Sequence, residues 1–600
     1  MNETQFNNFP ISQVRDEIFE SFQKNQITII STPTSSGKSM LVPYYANQYS
    51  GKQVYCTVPR RILATEGMKS SNAIHGEGFS GFIHGEGEEN VDSSVCYITE
   101  GSFIMRGTAS KLGFGSIVCF DEVHEQGKIL ETLLYAAIDY AKQGLKIVLM
   151  SATLDIAKYK GYYEKRGISV GVIKLDTERM FDLSYSIIDS PEKSVMIAAK
   201  NGGRVLVGLS GKEEIDRFSY EVAKSFKGKI FHIHGEVEVD EQEEALAYEG
   251  SCVYVCTNMV QSGITIKGLT HGYFDGYGKR IVLDKGENKL VKYKLSKSEM
   301  KQWYGRLGRV CHGEIFVTSQ KDIDLDERDD MPTPEILRTS LEDSILFFAY
   351  IGLKMIDCVL LNKPPKAHIM LGIEMLKKLK CADSNGDINS YGLAVVSEGQ
   401  GVRGGIAVIH GRKNGIENLA KKVALVSQYK PFLSKNGEII TSTENIVKIL
   451  GEKYENYKHS DILIQVGIVE YFIKKYFEVN ERNRGYVLIE DFLEEFKHEC
   501  EKACFFRRTL QNIIYNFYKI DRDCKDFYDV SKIDEVIKEM YADCVTDAFY
   551  GKVFDGKNFR KIGTSSKAVQ LAQMNAVGNF VCIEDSKKKT VYLIENVTYL

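Results

Sequence analysis

The sequence is short of several things that would fix its class at a glance. Its 600 residues carry 77 basic against 81 acidic side chains, a net charge of -4, so there is no basic coat advertising a nucleic-acid binder. Any grip on a polyanion has to come from a local groove. No apolar run is long enough to span a bilayer. The greasiest, Ile345 to Leu353, runs into Lys354 and Asp357 and reads as a core helix, so no membrane partner is expected. The N-terminus, Met1-Asn2-Glu3-Thr4-Gln5-Phe6, lacks the charged-then-apolar order of a secretory signal. The 13 cysteines are scattered. Cys252 with Cys256, and Cys500 with Cys504 beside His498, are the close pairs, and neither completes a zinc-ligand set. They read as buried thiols in a reducing compartment, and a soluble intracellular protein is expected, cytoplasmic in preference to nuclear. No internal repeat stands out, and Trp303 is the one tryptophan.

What is present is ordinary globular composition, 43% hydrophobic and 26% charged, in a chain too long for one core. About three to five domains are expected. The informative stretch is Ser31-Thr32-Pro33-Thr34-Ser35-Ser36-Gly37-Lys38-Ser39, which follows the apolar run Ile27 to Ile30 and precedes a segment that can start a helix. Strand, small-residue loop, Gly-Lys-Ser and helix is the arrangement that cradles phosphates with backbone N–H groups and a helix dipole. Thr32, Thr34, Ser35, Ser36, Gly37, Lys38 and Ser39 are therefore the candidate ATP-binding residues. Lys38 would reach the β- and γ-phosphates, and the Ser39 hydroxyl would hold Mg²⁺. Thr32 stands where the usual pattern opens with Gly, and Ser35 where a second Gly is common.

A helix is predicted over 12–24, from Val14, Ile18, Phe19 and Phe22 at helical spacing. Val54 to Thr57 is a buried-strand candidate, followed by Pro59-Arg60-Arg61. Arg60 and Arg61 are read either as a solvated helix start or as contacts to phosphates of a strand crossing the sheet edge. Thr99-Glu100-Gly101-Ser102 opens a further helix with Thr99 as its N-cap, and such N-termini also anchor phosphates. Ile117 to Phe120 then leads into Asp121-Glu122-Val123-His124. Four apolar residues and an acidic pair form the second half of a nucleotide-hydrolysing site, Asp121 on Mg²⁺ and Glu122 poised to activate water. A strand over 145–150 ends in Ser151-Ala152-Thr153. Strands alternating with helices predict a parallel, doubly wound α/β sheet with its chemistry at the carboxyl ends of the strands.

Asp121-Glu122-Val123-His124 followed by Ser151-Ala152-Thr153 resembles the DEAH/RHA group of superfamily 2 helicases, with Val123 where that family has Ala. Related viral helicases also often lack the leading Gly of the loop. Gly202 to Ile215 resembles motif IV, whose turn (Ser210, Gly211) contacts the nucleic-acid backbone. Cys252 to Ile266 is similar to motif V, with Thr257 on a phosphate. Gln302-Trp303-Tyr304-Gly305-Arg306-Leu307-Gly308-Arg309 resembles motif VI, Trp303 replacing an Arg. The resemblance makes Arg306 and Arg309 fingers on the γ-phosphate, and Gln302 a residue that helps place the attacking water. It gives Glu122 the metal as well as the water, and His124, Ser151 and Thr153 the coupling of nucleotide to nucleic acid. Arg60, Arg61, Thr99, Gly101, Ser210, Gly211 and Thr257 become the nucleic-acid contacts.

The resemblance further implies two RecA-like lobes (1–168 and 169–328) and a strand-separating hairpin at about 279–295. A winged-helix domain (329–400), a helical ratchet-like bundle (401–520) and an OB-like barrel (521–600) would follow. Asp383-Ser384-Asn385-Gly386-Asp387 offers turn chemistry suited to the wing. The expected activity is ATP- and Mg²⁺-dependent translocation on single-stranded RNA with duplex unwinding, 3′ to 5′ by analogy. DNA stays open as a substrate, because phosphate contacts barely distinguish the two. The rival readings are an ATP-gated RNA clamp that does not separate strands and an NTPase acting on RNA 5′ ends.

Overall fold

The computed structural model describes residues 9–33, 36–85, 87–175, 181–234, 244–257, 266–284, 287–426, 443–453 and 461–483, residue 536, and short strands between 576 and 599. The chain divides into two units. The first comprises Met1–Ile281, Val291–Thr339 and Ile356–Pro365; the second comprises Val282–Leu290, Ser340–Met355 and Lys366–Leu600.

The first unit is built on two parallel sheets, as the alternation of strands and helices predicts. The first sheet has eight strands: β1 (Ile27–Ser31), β2 (Val54–Val58), β3 (Ser80–His84), β4 (Gly87–Glu89), β5 (Val95–Thr99), β6 (Ile117–Phe120), β7 (Lys146–Ser151) and β8 (Val170–Lys174). They lie in the order β4-β3-β5-β2-β6-β7-β1-β8. Only the β3–β4 pair is antiparallel. The central strands are buried on both faces, which is why Ile27–Ile30, Ile117–Phe120 and Ile147–Met150 read as unbroken apolar runs. Helices α1 (Arg15–Lys24), α2 (Lys38–Ser50), α3 (Arg61–His75), α4 (Glu100–Met105), α5 (Lys128–Lys142) and α6 (Ile156–Glu164) accompany this sheet. The helix read over 12–24 is a 3₁₀ turn at Pro10–Val14 running into α1. Because β6, β7 and β1 are neighbours, their carboxyl ends bring 121–124, 151–153, 32–33 and 36–38 to one edge.

The second sheet contains β9 (Leu183–Ile187), β10 (Arg204–Gly208), β11 (Lys229–Ile233), β12 (Cys252–Cys256), β13 (His271–Phe274) and β16 (Gly313–Val317), in the order β11-β12-β10-β13-β16-β9. Every recorded pairing is parallel, with Gly208 opposite Cys256. Helices α7 (Pro191–Lys200), α8 (Lys212–Ala223) and α9 (Lys297–Tyr304) belong to it. Strands β14 (Tyr277–Asp284) and β15 (Glu287–Lys294) pair as a separate two-stranded sheet, the hairpin expected at about 279–295. Trp303 is buried in this lobe's core and stacks on Phe274 with ring centroids 4.9 Å apart and planes 30° apart. The Gly208 backbone leaves the room that the indole fills. Ile356–Pro365 adds a far-off contact to the first lobe. Asn362 gives its backbone N–H (2.7 Å) and side-chain amide (2.9 Å) to the buried Glu131 carboxylate, and Lys158 Nζ donates to Asn362 Oδ1 at 2.5 Å.

The described part of the second unit is mainly helical: Glu342–Tyr350, Lys366–Lys378, Ser390–Ser397, Gly401–Lys413, Glu417–Val426, Thr443–Leu450 and Asp461–Asn483. Its apolar helix 342–350 covers most of the run read as a core helix. Lys422 and Glu470 form a buried ion pair at 3.2 Å. The turn at 383–387 has the expected chemistry, Asp383 Oδ1 accepting the N–H groups of Asn385 and Asp387, both at 2.9 Å. It is closed by a single bridge between Ala382 and Ile388, and Asn389 then caps the helix 390–397. Antiparallel pairs at Phe580–Asp585 with Lys588–Leu593, and Ala576–Val577 with Thr598–Tyr599, lie inside the segment read as a barrel. Residues 484–535 and 537–575, within the segments read as bundle and barrel, lie outside the described residues.

Candidate active site and nucleic-acid edge

The loop after β1 is held from below. Thr32 N–H donates to the Ser151 carbonyl (3.1 Å), and the Thr32 and Ser36 hydroxyls meet at 2.7 Å, both residues buried. The departure from Gly at position 32 thus has a use, because the extra hydroxyl ties the two ends of the loop. Thr34 and Ser35 lie outside the described residues. Gly37 has φ 88°, and a Cβ there would lie 2.8 Å from the Phe9 ring, so only glycine fits. Tyr97 fixes the following turn by donating to the Ser39 carbonyl at 2.8 Å.

Lys38 is buried, with Nζ 3.5 Å from Glu122 Oε1. Burial alone would pull its ammonium down, but the carboxylates of Glu122 and Asp121 outweigh that and hold it above its ordinary value. Burial pushes Asp121 up to about 6, with Glu122 adding to the effect and Lys38 opposing it. Its carboxylate accepts the Glu122 N–H at 2.8 Å and the Ser39 hydroxyl. Burial raises Glu122 as well, yet Lys38 and then His124 overcome it and keep this carboxylate below its ordinary value. Glu122 (φ 54°) and Gln126 (φ 49°) are left-handed non-glycine residues, so backbone strain is concentrated on this short segment.

His124 Nδ1 lies 3.2 Å from Glu122 Oε2 and 3.3 Å from Ser151 Oγ. Burial depresses the imidazole, with the Glu122 carboxylate pulling the other way. Ser151 Oγ gives its own proton to the Thr153 carbonyl (2.7 Å), so it accepts from the ring, and the Nδ1–H is shared between Glu122 and Ser151. Gln302 Nε2, from α9 of the other lobe, donates to Thr153 Oγ1 at 3.3 Å. Arg306 is pulled down to about 10, first by burial and then by Arg309, while Cys256 and Glu122 push back. Burial also lowers Arg309, whose Nε donates to the Gly305 carbonyl at 2.9 Å. Two desolvated guanidiniums that repel each other favour a polyanion between them. The hydroxyl and carboxylates of Ser39, Asp121 and Glu122 are hard oxygen donors of the kind Mg²⁺ takes.

The remaining sequence-derived residues fall at strand ends. Arg60 is the N-cap of α3 and Arg61 its first residue. Arg60 Nη2 pairs with Glu125 Oε1 at 2.8 Å, a partner sequence reasoning missed although it directly follows His124. Thr99 is the N-cap of α4 and Gly101 lies in its first turn, but the Thr99 hydroxyl donates to the Ser102 hydroxyl (2.9 Å) and accepts no capping backbone N–H. Glu100 beside it is buried and pushed up to about 8, by burial first and then by Glu125 and Glu335. Ser210 and Gly211 follow β10, Gly211 as the N-cap of α8, and Thr257 follows the adjacent β12. The structure therefore gathers Lys38, Asp121, Glu122, His124, Ser151, Thr153 and Gln302 into one polar cluster, with the charge of Glu122 acting on Arg306. Arg60 is joined to it through Glu125, and the others are distributed along the carboxyl edges of the two sheets.

The DEAD/DEAH box helicase family profile matches residues 12–160, the stretch holding the loop, the acidic pair and Ser151–Thr153. Residues 12–160 thus carry a DEAD/DEAH box helicase domain. Curated helicase relatives include the Schizosaccharomyces pombe pre-mRNA-splicing factor ATP-dependent RNA helicase prp22, 24% identical over 420 residues, or 64% of this chain and 35% of that protein. A second helicase of that yeast, also named for pre-mRNA splicing, is 26% identical over 427 residues, 63% of each chain. The chain thus matches about a third of one relative's length and under two thirds of the other's. Among solved structures, two of the Escherichia coli helicase HrpB share the fold. One, described as a DExH-box NTPase, has TM-score 0.71 and 17% identity over 98% of this chain and 68% of that one. The other, described as a DEAH/RHA helicase, has TM-score 0.69 and 17% identity over 96% and 69%. Among the described residues no helix is long and apolar enough to cross a membrane.

Proposed function

We propose that this chain is an ATP-dependent RNA helicase that converts hydrolysis between its two lobes into movement along single-stranded RNA. The carrying observation is the unbroken polar path from Lys38 through Glu122, His124, Ser151 and Thr153 to Gln302, which joins the phosphate loop of one lobe to motif VI of the other.

In this reading the backbone of the loop and Lys38 bind the β- and γ-phosphates. Mg²⁺, held by Ser39, Asp121 and Glu122, would neutralise charge on the phosphate oxygens. Glu122, kept ionised by Lys38, takes the proton of the attacking water, and Gln302 orients that water. Arg306 and Arg309 answer the charge that spreads over the transferred phosphoryl group. His124, Ser151 and Thr153 pass the nucleotide state to the nucleic-acid edge, where Arg60, Arg61, Thr99, Gly101, Ser210, Gly211 and Thr257 grip phosphates. The hairpin separates strands, with 3′ to 5′ travel as the family-based direction. Winged-helix (329–400), ratchet-like (401–520) and OB-like (521–600) domains complete the RNA path.

The test is phosphate release with and without matched single-stranded RNA or DNA, alongside duplex unwinding. RNA should stimulate hydrolysis, and both Lys38→Ala and Glu122→Gln should lose at least about a hundredfold in turnover. Normal turnover in both variants removes the mechanism. Equal stimulation by DNA widens the substrate class, and hydrolysis with no unwinding by the wild type turns the reading towards a clamp.

A further inference from the structure

The hairpin and the helix that carries Gln302 are consecutive in the chain and are bonded to each other. Strand β15 ends at Lys294, Leu295 follows, and Ser296 is the N-cap of α9. Ser296 Oγ and Glu299 form a reciprocal capping box, with the Ser296 N–H on Glu299 Oε2 at 2.8 Å. The other oxygen of Glu299 accepts the Tyr293 hydroxyl of β15 at 2.5 Å. One carboxylate therefore joins the hairpin strand to the first turn of the helix, and Arg280 of β14 lies 4.2 Å over the ring of that tyrosine.

A second clamp closes the foot of the hairpin. Arg328, buried, places Nη1 2.8 Å from the Gly276 carbonyl and 2.8 Å from the Leu295 carbonyl, the residues just before β14 and just after β15. Gly276 has φ 72°, and a Cβ there would come within 2.2 Å of Arg328 Nη2. The turn that presents Arg328 is itself strained. Leu325 is a left-handed non-glycine residue at φ 58°, held by burial of its side chain, and its carbonyl accepts the Arg328 N–H at 3.0 Å. Higher on the same strand, Arg338 Nη1 donates to the Ile281 carbonyl at 2.6 Å.

We propose that Arg328 and the Tyr293–Glu299 pair are positioning residues that make the hairpin and α9 one rigid lever, so that the arginine fingers and the hairpin move together. This rests on the helicase reading above. A buried guanidinium bridging two strand ends and a hydroxyl bridging strand to helix remove the hinge that the two-residue linker Leu295-Ser296 would otherwise provide. Neither side chain belongs to the phosphate site, so hydrolysis does not need them. Transmission does.

The experiment compares Arg328→Met, Arg328→Lys, Gly276→Ala and Tyr293→Phe with wild type, measuring RNA-stimulated ATPase and base pairs unwound per ATP. Tyr293→Phe removes one oxygen and leaves the ring, so it reports even where a change at Arg328 impairs folding. ATPase should stay within about twofold. Unwinding per ATP should fall by about tenfold or more in the Met, Ala and Phe variants. Arg328→Lys should recover part of the loss, since an ammonium can still donate to a carbonyl. An unwinding yield that only tracks ATPase, or that is unchanged in Tyr293→Phe and Gly276→Ala, overturns the lever while leaving the helicase reading intact. A wild type that hydrolyses ATP on RNA without unwinding overturns both.

Discussion

Trp303 stands where the resembling family carries an arginine, and its burial makes a quantitative prediction. A buried tryptophan removes roughly 250 Å² from water, worth up to about 6 kcal/mol at 25 cal/mol per Å². Truncating it to alanine should cost about 3–5 kcal/mol once partial collapse of the site is allowed for. Phenylalanine keeps the stack on Phe274 but leaves the space beside Gly208 empty, at about 1–2 kcal/mol. Arginine should be the worst of the three, because it sets a cation among Phe274, Met300 and Leu307, all members of the same apolar core. Since Gln302 precedes the indole on α9, loosening it should lower kcat more than it raises the KM for ATP. Urea unfolding followed by far-ultraviolet circular dichroism, with steady-state ATPase on the same preparations, measures both. If Trp303→Ala costs under about 1 kcal/mol, or Trp303→Arg is as stable as wild type, the core role assigned to the indole is wrong.

Gly37→Ala should weaken nucleotide binding by about tenfold to a hundredfold through backbone strain and the clash with Phe9, read by titration with a fluorescent ATP analogue; unchanged affinity would contradict the geometry. Glu100 predicts a pH dependence of known sign. The folded chain keeps its proton up to about pH 8, whereas an unfolded glutamate releases it near 4.5, so the native state binds more protons in that window and stability falls as pH rises through it. The difference, 8 − 4.5 = 3.5 units, sets a ceiling of about 5 kcal/mol. Glu100→Gln should melt with wild type near pH 4.5 and above it beyond pH 8, and parallel melting curves across the range would refute the assignment.

The features legible in the sequence were those written in adjacent residues. A strand running into Gly37-Lys38-Ser39 and another into Asp121-Glu122 place their chemistry by local geometry, so reading them required no knowledge of distant contacts. The hairpin was legible for the same reason. Gln302 to Arg309, read as the beginning of a helix, instead straddles the end of α9, with Gly305 as its C-cap and both arginines beyond it. Strands β8 and β9 were not legible, because they lie at sheet edges where few of their residues are buried, which leaves no clean apolar run. The pairing of Arg60 with Glu125 across 65 residues and the stacking of Trp303 on Phe274 depend on sheet order, which no spacing encodes. At 383–387 the turn residues were read correctly, but they fix only four or five dihedrals. Whether a strand or a helix follows depends on the Asn389 cap and on Val395 and Val396, which are buried.

Glu131 and Asn362 are 231 residues apart, yet one is the hydrogen-bonding complement of the other. A gene shortened to end after the second sheet would therefore leave a carboxylate sealed inside α5 with its amide donors gone. The two-sheet part of the first unit is thus not a self-sufficient cassette. Any dissection or transplant of it has to bring along the ten residues from Ile356 to Pro365, even though they are encoded well downstream of both sheets.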